Sequence, residues 1–298
     1  MPLTEADLEL RRKTVGASDV AAIMGLDPWA GPADVWLEKT GRTLPGPTTM
    51  AMNIGTVFES GLLMFAEQEL GPLLRGRRYE AAGGLPLAAN FDAEVEADGQ
   101  PVEAKFSTIF TPDVWGEPGT DQVPERVNLQ GHAQIICKDP NLPMFHVPHH
   151  DPYKGLVMYH VQKNDQICEV IALAVIKFWA LVRSDTKPDA VPHLETLKRV
   201  RRTPGKACGV EPDLVEAYLD YHEAYKAAER QRDMARAALQ FAMGDAELGL
   251  AGPAGEVTLF EQPNNRIDVS RLRDEQPEIA EEYTKKSTTR VLRHRKPK

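Results

Sequence analysis

Apolar and polar positions along the chain alternate between a helical rhythm and a strand-like one, and the changes of rhythm divide it into elements. Residues 5–13 read as a short charged helix. Ser18 precedes an apolar stretch running to about Met24, as an N-cap does, and Pro32 opens a second helix ending near Gly41. The tract TLPGPTTM is a loop. Residues 54–70, IGTVFESGLLMFAEQEL, form an amphipathic pattern with Val57, Gly61, Met64 and Phe65 on one face. A hairpin follows: Phe91 to Ala97 is one strand, Asp98-Gly99 the turn, and Pro101 to Ser107 the second strand. After a loop at 108–124 come a helix at 125–137, strands at 143–150 and 155–162, and a helix at 165–183, read as buried. This order implies an α/β layer fold, a mixed central sheet flanked by helices.

Beyond Pro204 the rhythm changes. Pro212 to Met243 is a single helical pattern about 48 Å long at 1.5 Å per residue. Its Leu214, Tyr218, Tyr221, Tyr225, Ala228, Ala235, Leu239 and Ala242 fall on a 4,3 repeat broken by Arg232, which suits pairing with another helix. A strand, EVTLFEQ, and a basic tail follow. The expected organisation is a core at 1–204 and a largely helical extension at 205–298.

Composition changes this picture little. A chain of 298 residues with 42% hydrophobic and 27% charged content is ordinary for a soluble globular protein. The net charge of −9 argues against a protein that coats nucleic acid, yet the basic residues are clustered. Thr196 to Lys206 holds five Lys/Arg and no acid, Thr284 to the end holds seven, and Arg75, Arg77 and Arg78 form a third group. Such runs are solvated faces or phosphate footprints. Three widely spaced cysteines without a CxxC, and a charged N-terminus without a signal-peptide core, suit a reducing cytoplasm. The longest apolar run, Val170 to Val182, contains Lys177 and is too short to span a bilayer, so no membrane partner is expected.

The chemistry concentrates in the hairpin. Alternation puts Glu103 and Lys105 on one face, and the turn returns Asp92 towards them. Two carboxylates and an amine then converge, with oxygen ligands of the kind Mg2+ takes and a lysine that stabilises negative charge or helps deprotonate water. This suits phosphodiester hydrolysis. Glu59 sits among small and apolar neighbours, exposed or pointed into a site. Gln130 and Gln134, one turn apart, share a helix face. Ser18 caps a helix or, with Arg11 or Arg12, binds phosphate at its N-terminus. The histidines of HVPHH and His160 lack zinc-ligand spacing and read as surface and strand-edge residues.

In order, GASDVAAIMGLDPW, DVWLEKTG, GTVFE, Asp92 with Glu103-x-Lys105, LQGHAQ and DPYKGLVMYHVQKND resemble the YqaJ-type viral recombinase, or phage lambda exonuclease-like, family of the PD-(D/E)xK nuclease superfamily. The resemblance runs from about Arg11 to Arg183. It implies a restriction-endonuclease-like core in which Asp92, Glu103 and the Ala104 carbonyl ligate one or two Mg2+ ions, with Mn2+ as a substitute. It further implies that Lys105 acts on water or the transition state, that Glu59 is an additional acidic member, and that Gln130 orients the site. Arg11, Arg12 and Ser18 match the region holding a 5′-phosphate. The implied activity is 5′→3′ digestion of linear duplex DNA in the bacterial host cytoplasm, by a ring-shaped homotrimer that leaves a 3′ strand for a single-strand annealing protein. The sequence departs from the family at Phe91-Asp92-Ala93, where Pro-Asp-Gly is usual, and at the small Ala104. It departs again at His132, in place of a second glutamine, and at Val127, in place of a tyrosine. An endonuclease on the same core, or a catalytically silent DNA-binding or partner-docking module, are the alternative readings.

Overall fold

The structure, a computed structural model, describes residues 9, 11–107, 114–285, 292 and 294. Residues up to Arg202 form one compact unit and those from Thr203 another. The first opens with β1 (Val15–Gly16), a 3-10 turn (Ala17–Asp19), α1 (Val20–Ile23), α2 (Pro32–Lys39) and α3 (Met50–Leu70). It continues with β2 (Leu73–Arg75), β3 (Arg78–Glu80), β4 (Leu87–Asn90), β5 (Ala93–Val95), β6 (Pro101–Val102) and β7 (Lys105–Phe106). Then follow α4 (Glu125–Lys138), β8 (Met144–Asp151), β9 (Gly155–Gln162), α5 (Asp165–Arg183) and α6 (Leu194–Arg199).

The main sheet is mixed. β2, β5 and β6 pair antiparallel in turn, β6 and β7 run parallel to β8 along one of its edges, and β9 pairs antiparallel on the other. A smaller sheet orders β1, β4 and β3. Helices cover both faces of the main sheet. On one, Leu63 and Ala66 of α3 pack on Ala93, Val95, Val102 and Met158. On the other, Val127 and Ile135 of α4 pack on Phe145, Val147 and Tyr159. Burying a side chain such as Ile135, fully excluded from water, contributes about 2–3 kcal/mol. Gly131 lets α4 approach closely, because a Cβ there would lie 2.2 Å from the Phe145 ring. A third cluster packs α1, α2, α4 and α5 around Val20, Trp36, Leu129, Ile171 and Phe178. This is the mixed sheet flanked by helices that the element order implies.

Several expectations need correction. The second hairpin strand is not continuous: the ladder breaks at Glu103–Ala104, where the chain passes from pairing with β5 and β8 to pairing with β8 alone. The first strand is shorter, and Asp92 sits in a bend before it. α3 begins four residues early, at Met50, capped by Thr49, whose Oγ1 accepts the Met52 N–H at 3.2 Å. Its buried face is Leu62, Leu63 and Ala66; Val57 and Met64 are exposed. α5 buries only Ile171, Val175, Phe178 and Trp179 and exposes Val170, Leu173 and Ile176. Ser18 caps no helix, because it lies inside the 3-10 turn, where the Asp19 carboxylate accepts the Gly16 N–H at 3.0 Å.

The second unit contains α7 (Pro212–Met243), a hairpin of β10 (Leu248–Leu250) and β11 (Glu256–Thr258), α8 (Val269–Glu275) and α9 (Pro277–Glu282). No residue of α7 is buried. Most of the expected helix at 5–13, Phe110 and most of the basic tail lie outside the described residues. No helix among the described residues is long and apolar enough to cross a membrane.

Candidate active site

Glu103 is the fixed point of the site. It is 4% exposed, and Oε1 accepts two hydrogen bonds while Oε2 accepts one. Oε1 accepts from Lys105 Nζ at 2.7 Å and Gln130 Nε2 at 2.6 Å, and Oε2 accepts from Gln134 Nε2 at 2.5 Å. Lys105 Nζ also donates to Gln130 Oε1 at 3.0 Å. Two glutamines one turn apart on α4 thus clamp one carboxylate. Such charge-assisted bonds offset much of the cost of burying it.

The strand break has a local consequence. Released from a regular ladder, the Ala104 N–H donates to Asp92 Oδ2 at 2.9 Å. Asp92 Oδ1 takes no hydrogen bond among the described residues. The Asp92 carboxyl is pushed well above the usual range, first by loss of water and then by the negative charge of Glu103, with Glu59 adding to it. Lys105 and the Ala104 N–H oppose this without cancelling it. Burial and Glu103 also raise Glu59, against Arg75 and Lys105. Packing carries α3 to this point: Phe58 stacks on Phe106 and Phe106 on His150, each with centroids 4.5 Å apart. Three carboxylates and one ammonium leave the site short of positive charge.

Beside Gln130 lies a polar cavity of about 130 Å³ lined by Arg11, Ser18, Lys39, Arg78, Asn90 and Gln130, among others. Arg11 and Ser18 therefore line one cavity. Arg12 does not; its guanidinium rests by Gly41, 3.7 Å from where a Cβ would stand. Lys39 holds the floor: its Nζ, on a side chain 1% exposed, meets Asp19 Oδ2 at 2.6 Å and the Arg11 carbonyl at 2.9 Å. Nothing in the sequence marks Asn90 or Lys39 for the site, and no role follows from it for Gln134. Gln134 carried a signal in its one-turn spacing from Gln130, and Arg78 in the basic group it forms with Arg75 and Arg77.

The histidines correct another expectation, since His146 and His149 are buried. His146 Nε2 meets Gln100 Oε1 at 2.7 Å and its Nδ1 meets His160 Nδ1 at 2.8 Å. The amide oxygen only accepts, so Nε2 carries the proton and Nδ1 accepts from His160. His149 stacks on Trp115 at 3.8 Å and meets Ser107 Oγ at 2.9 Å. Burial lowers the pKa of both His146 and His149 to about 4. In the unfolded chain His149 returns to about 6.5, so the unfolded state takes up the proton first. The stabilisation is present above pH 6.5 and is lost as pH falls towards 4. From pH 7.5 to 5.0 His149 alone removes about 2 kcal/mol. Urea unfolding at the two pH values should show a smaller loss in His149→Gln than in the unsubstituted protein.

Residues 8–140 match the family described as the YqaJ-like viral recombinase domain. The chain is similar to an uncharacterised protein, YqaJ, of Bacillus subtilis (strain 168), 23% identical over 93% of this chain and 89% of that protein. It is also similar to crystal structures of LHK-Exo, an alkaline exonuclease from Laribacter hongkongensis, one of them in complex with dAMP. Each is 17% identical with a TM-score of 0.49, covering 61% of this chain and 94% of the other. The clamped Glu103-x-Lys105 pair, Asp92 and the cavity beside Gln130 all fall within the span that is similar to the YqaJ-like viral recombinase domain.

Proposed function

We propose that this protein is a metal-dependent deoxyribonuclease, a 5′→3′ exonuclease on linear duplex DNA. The observation that carries the reading is the Glu103 clamp with Lys105 held beside it, next to an Asp92 whose free oxygen is crowded by negative charge.

Among the described residues no three His, Cys, Asp or Glu side chains are grouped to hold a metal ion. The proposed donor set is two carboxylates, Asp92 and Glu103, with the Ala104 carbonyl. It is all oxygen, as Mg2+ or Mn2+ requires, and Asp92 Oδ1 is available to it. The unrelieved negative charge on Asp92 and Glu59 is what one or two such cations would neutralise. When bound, a divalent cation there polarises a phosphoryl oxygen and lowers the pKa of water.

The protein's own groups do the rest. Lys105 Nζ keeps one direction free beyond Glu103 and Gln130, and an ammonium there stabilises charge developing on the phosphate or holds the attacking water. Gln130 links this lysine to the adjoining cavity. Arg11, Ser18 and Arg78 make that cavity a receptor for a terminal phosphate, at a distance from the clamp bridged by one glutamine side chain. Digestion from such an end leaves a 3′ strand, which a single-strand annealing protein would take up. Processive digestion would follow from a homotrimeric ring around the duplex.

The test uses a linear duplex with a 5′-phosphate, labelled at either end, and a covalently closed circle, both with Mg2+. The expected result is loss of the 5′ label first and an intact circle. Cutting of the circle would replace this reading with an endonuclease. Binding of both without cleavage would replace it with a DNA-binding module.

A further inference from the structure

Following α2, residues 42–44 run antiparallel to residues 199–201 as a short ladder. Thr43 bridges Val200, the Arg201 N–H donates to the Arg42 carbonyl at 2.8 Å, and the Leu44 N–H donates to the Arg199 carbonyl at 2.9 Å. Thr43 is buried. Side chains alternate across a ladder and cross-strand partners share a face. With Thr43 and Val200 turned to the protein, Arg42, Arg199 and Arg201 are on the other face.

These arginines are poorly neutralised. Arg42 lies over Trp36 and pairs with the exposed Asp185 at 2.8 Å. Arg199 spends its guanidinium on the Leu44 carbonyl and Thr196. Among the described residues Arg12, Arg199, Arg201 and Arg202 form no ion pair with a carboxylate. In a chain of net charge −9, a ribbon whose Arg199, Arg201 and Arg202 meet no carboxylate among the described residues suits a polyanion contact. The ribbon is also tethered to the cavity. Lys39, two residues before Gly41, lines the cavity beside Arg11, and Arg12 rests against Gly41.

We propose that the 42–44/199–201 ribbon, with Arg202, is a contact surface for the phosphate backbone of duplex DNA, outside the cavity and the Glu103 clamp. This rests on the nuclease reading for its partner, and a duplex is the polyanion that such an enzyme must hold while its end is processed. Arg201 and Arg202, which follow the bridge at Val200, are both exposed and free to meet phosphates. The ribbon reads no sequence, so it adds affinity to any duplex.

The experiment measures binding of the full chain to a labelled blunt duplex by fluorescence anisotropy, with EDTA to prevent cleavage, across a salt series. The test variant is Arg201→Ala/Arg202→Ala, both exposed positions, with Arg201→Lys/Arg202→Lys as the charge-preserving control. Two lost phosphate contacts should lower the slope of log K against log salt by about 1.8 and weaken binding on the order of 50-fold at 0.1 M salt. The lysine variant should restore the slope. An alanine variant with the unsubstituted melting temperature and unchanged slope would overturn the proposal. So would an affinity loss that the lysine variant shares in full, because that would place the effect in folding. The nuclease reading is judged apart, from cleavage of the linear duplex by the unsubstituted protein. Failure there with a reduced variant slope would leave the ribbon standing as a DNA-binding surface.

Discussion

Lys105→Ala should lower cleavage of linear duplex by about 10²–10³-fold, about 3–4 kcal/mol of transition-state stabilisation, while leaving duplex binding within about twofold. The reason is local. Lys105 Nζ is held by Glu103 Oε1 and Gln130 Oε1, so its charge has a defined position. Deleting it leaves Glu103 still bound by Gln130 and Gln134. The carboxylate therefore stays in place and the loss falls on the chemistry. Single-turnover cleavage and anisotropy binding with the same duplex separate the two effects. Equal loss of binding and cleavage would place Lys105 in substrate binding alone.

Lys39→Ala should destabilise the protein by about 3–5 kcal/mol, because it strands a buried carboxylate. Burial by itself raises the Asp19 pKa, but the Lys39 ammonium, its hydrogen bond and the Gly16 N–H more than reverse this. The net shift is downward, so the pair's contribution is present above the unfolded Asp pKa and is lost as pH falls through the lower folded one. Removing both charges, in Asp19→Asn/Lys39→Met, should cost less than Lys39→Ala, since neither partner is then left unpaired. Urea unfolding at pH 7.5 measures all three proteins. A single variant within about 0.5 kcal/mol of the unsubstituted protein would show that Asp19 finds water instead. Activity should fall with stability here, because Lys39 Nζ also ties down the Arg11 carbonyl at the cavity.

The parts of the fold legible in the sequence are those whose apolar rhythm is local. The α5 and α7 boundaries follow from periodicity alone, as do β8 and β9 within a residue. The hairpin was legible as a hairpin, but its break was not. That break depends on β8 taking over the pairing of residues 105–106, a contact with residues more than forty positions away. The faces of α3 were misread for a related reason. Val57, Leu62, Leu63, Met64 and Phe65 are apolar nearly all round, so periodicity cannot choose the side that meets β5 and β6. His146 and His149 lie on a strand covered on both faces, where alternation carries no information about exposure.

The site divides the same way. Asp92, Glu103, Lys105 and Gln130 were legible from spacing and family likeness, and the structure brings these four together with Glu59 near them. Ser18 and Arg11 meet at the cavity, Arg12 lies apart, and Arg78 joins from β3, a placement only tertiary structure reveals. The departure at Ala93 now has a physical reading. Ala93 is fully buried in β5 against α3, with ordinary strand pairing to Arg75 and Val102, so no backbone freedom of glycine is called on there.

The most direct test of the account is nucleotide release from a 5′-phosphorylated linear duplex by the unsubstituted protein and by Asp92→Asn, each with Mg2+ and with EDTA. Release by the unsubstituted protein is expected only with Mg2+, and release by Asp92→Asn should be reduced at least about 10²-fold. Equal release by the two proteins, or release undiminished by EDTA, would contradict the account.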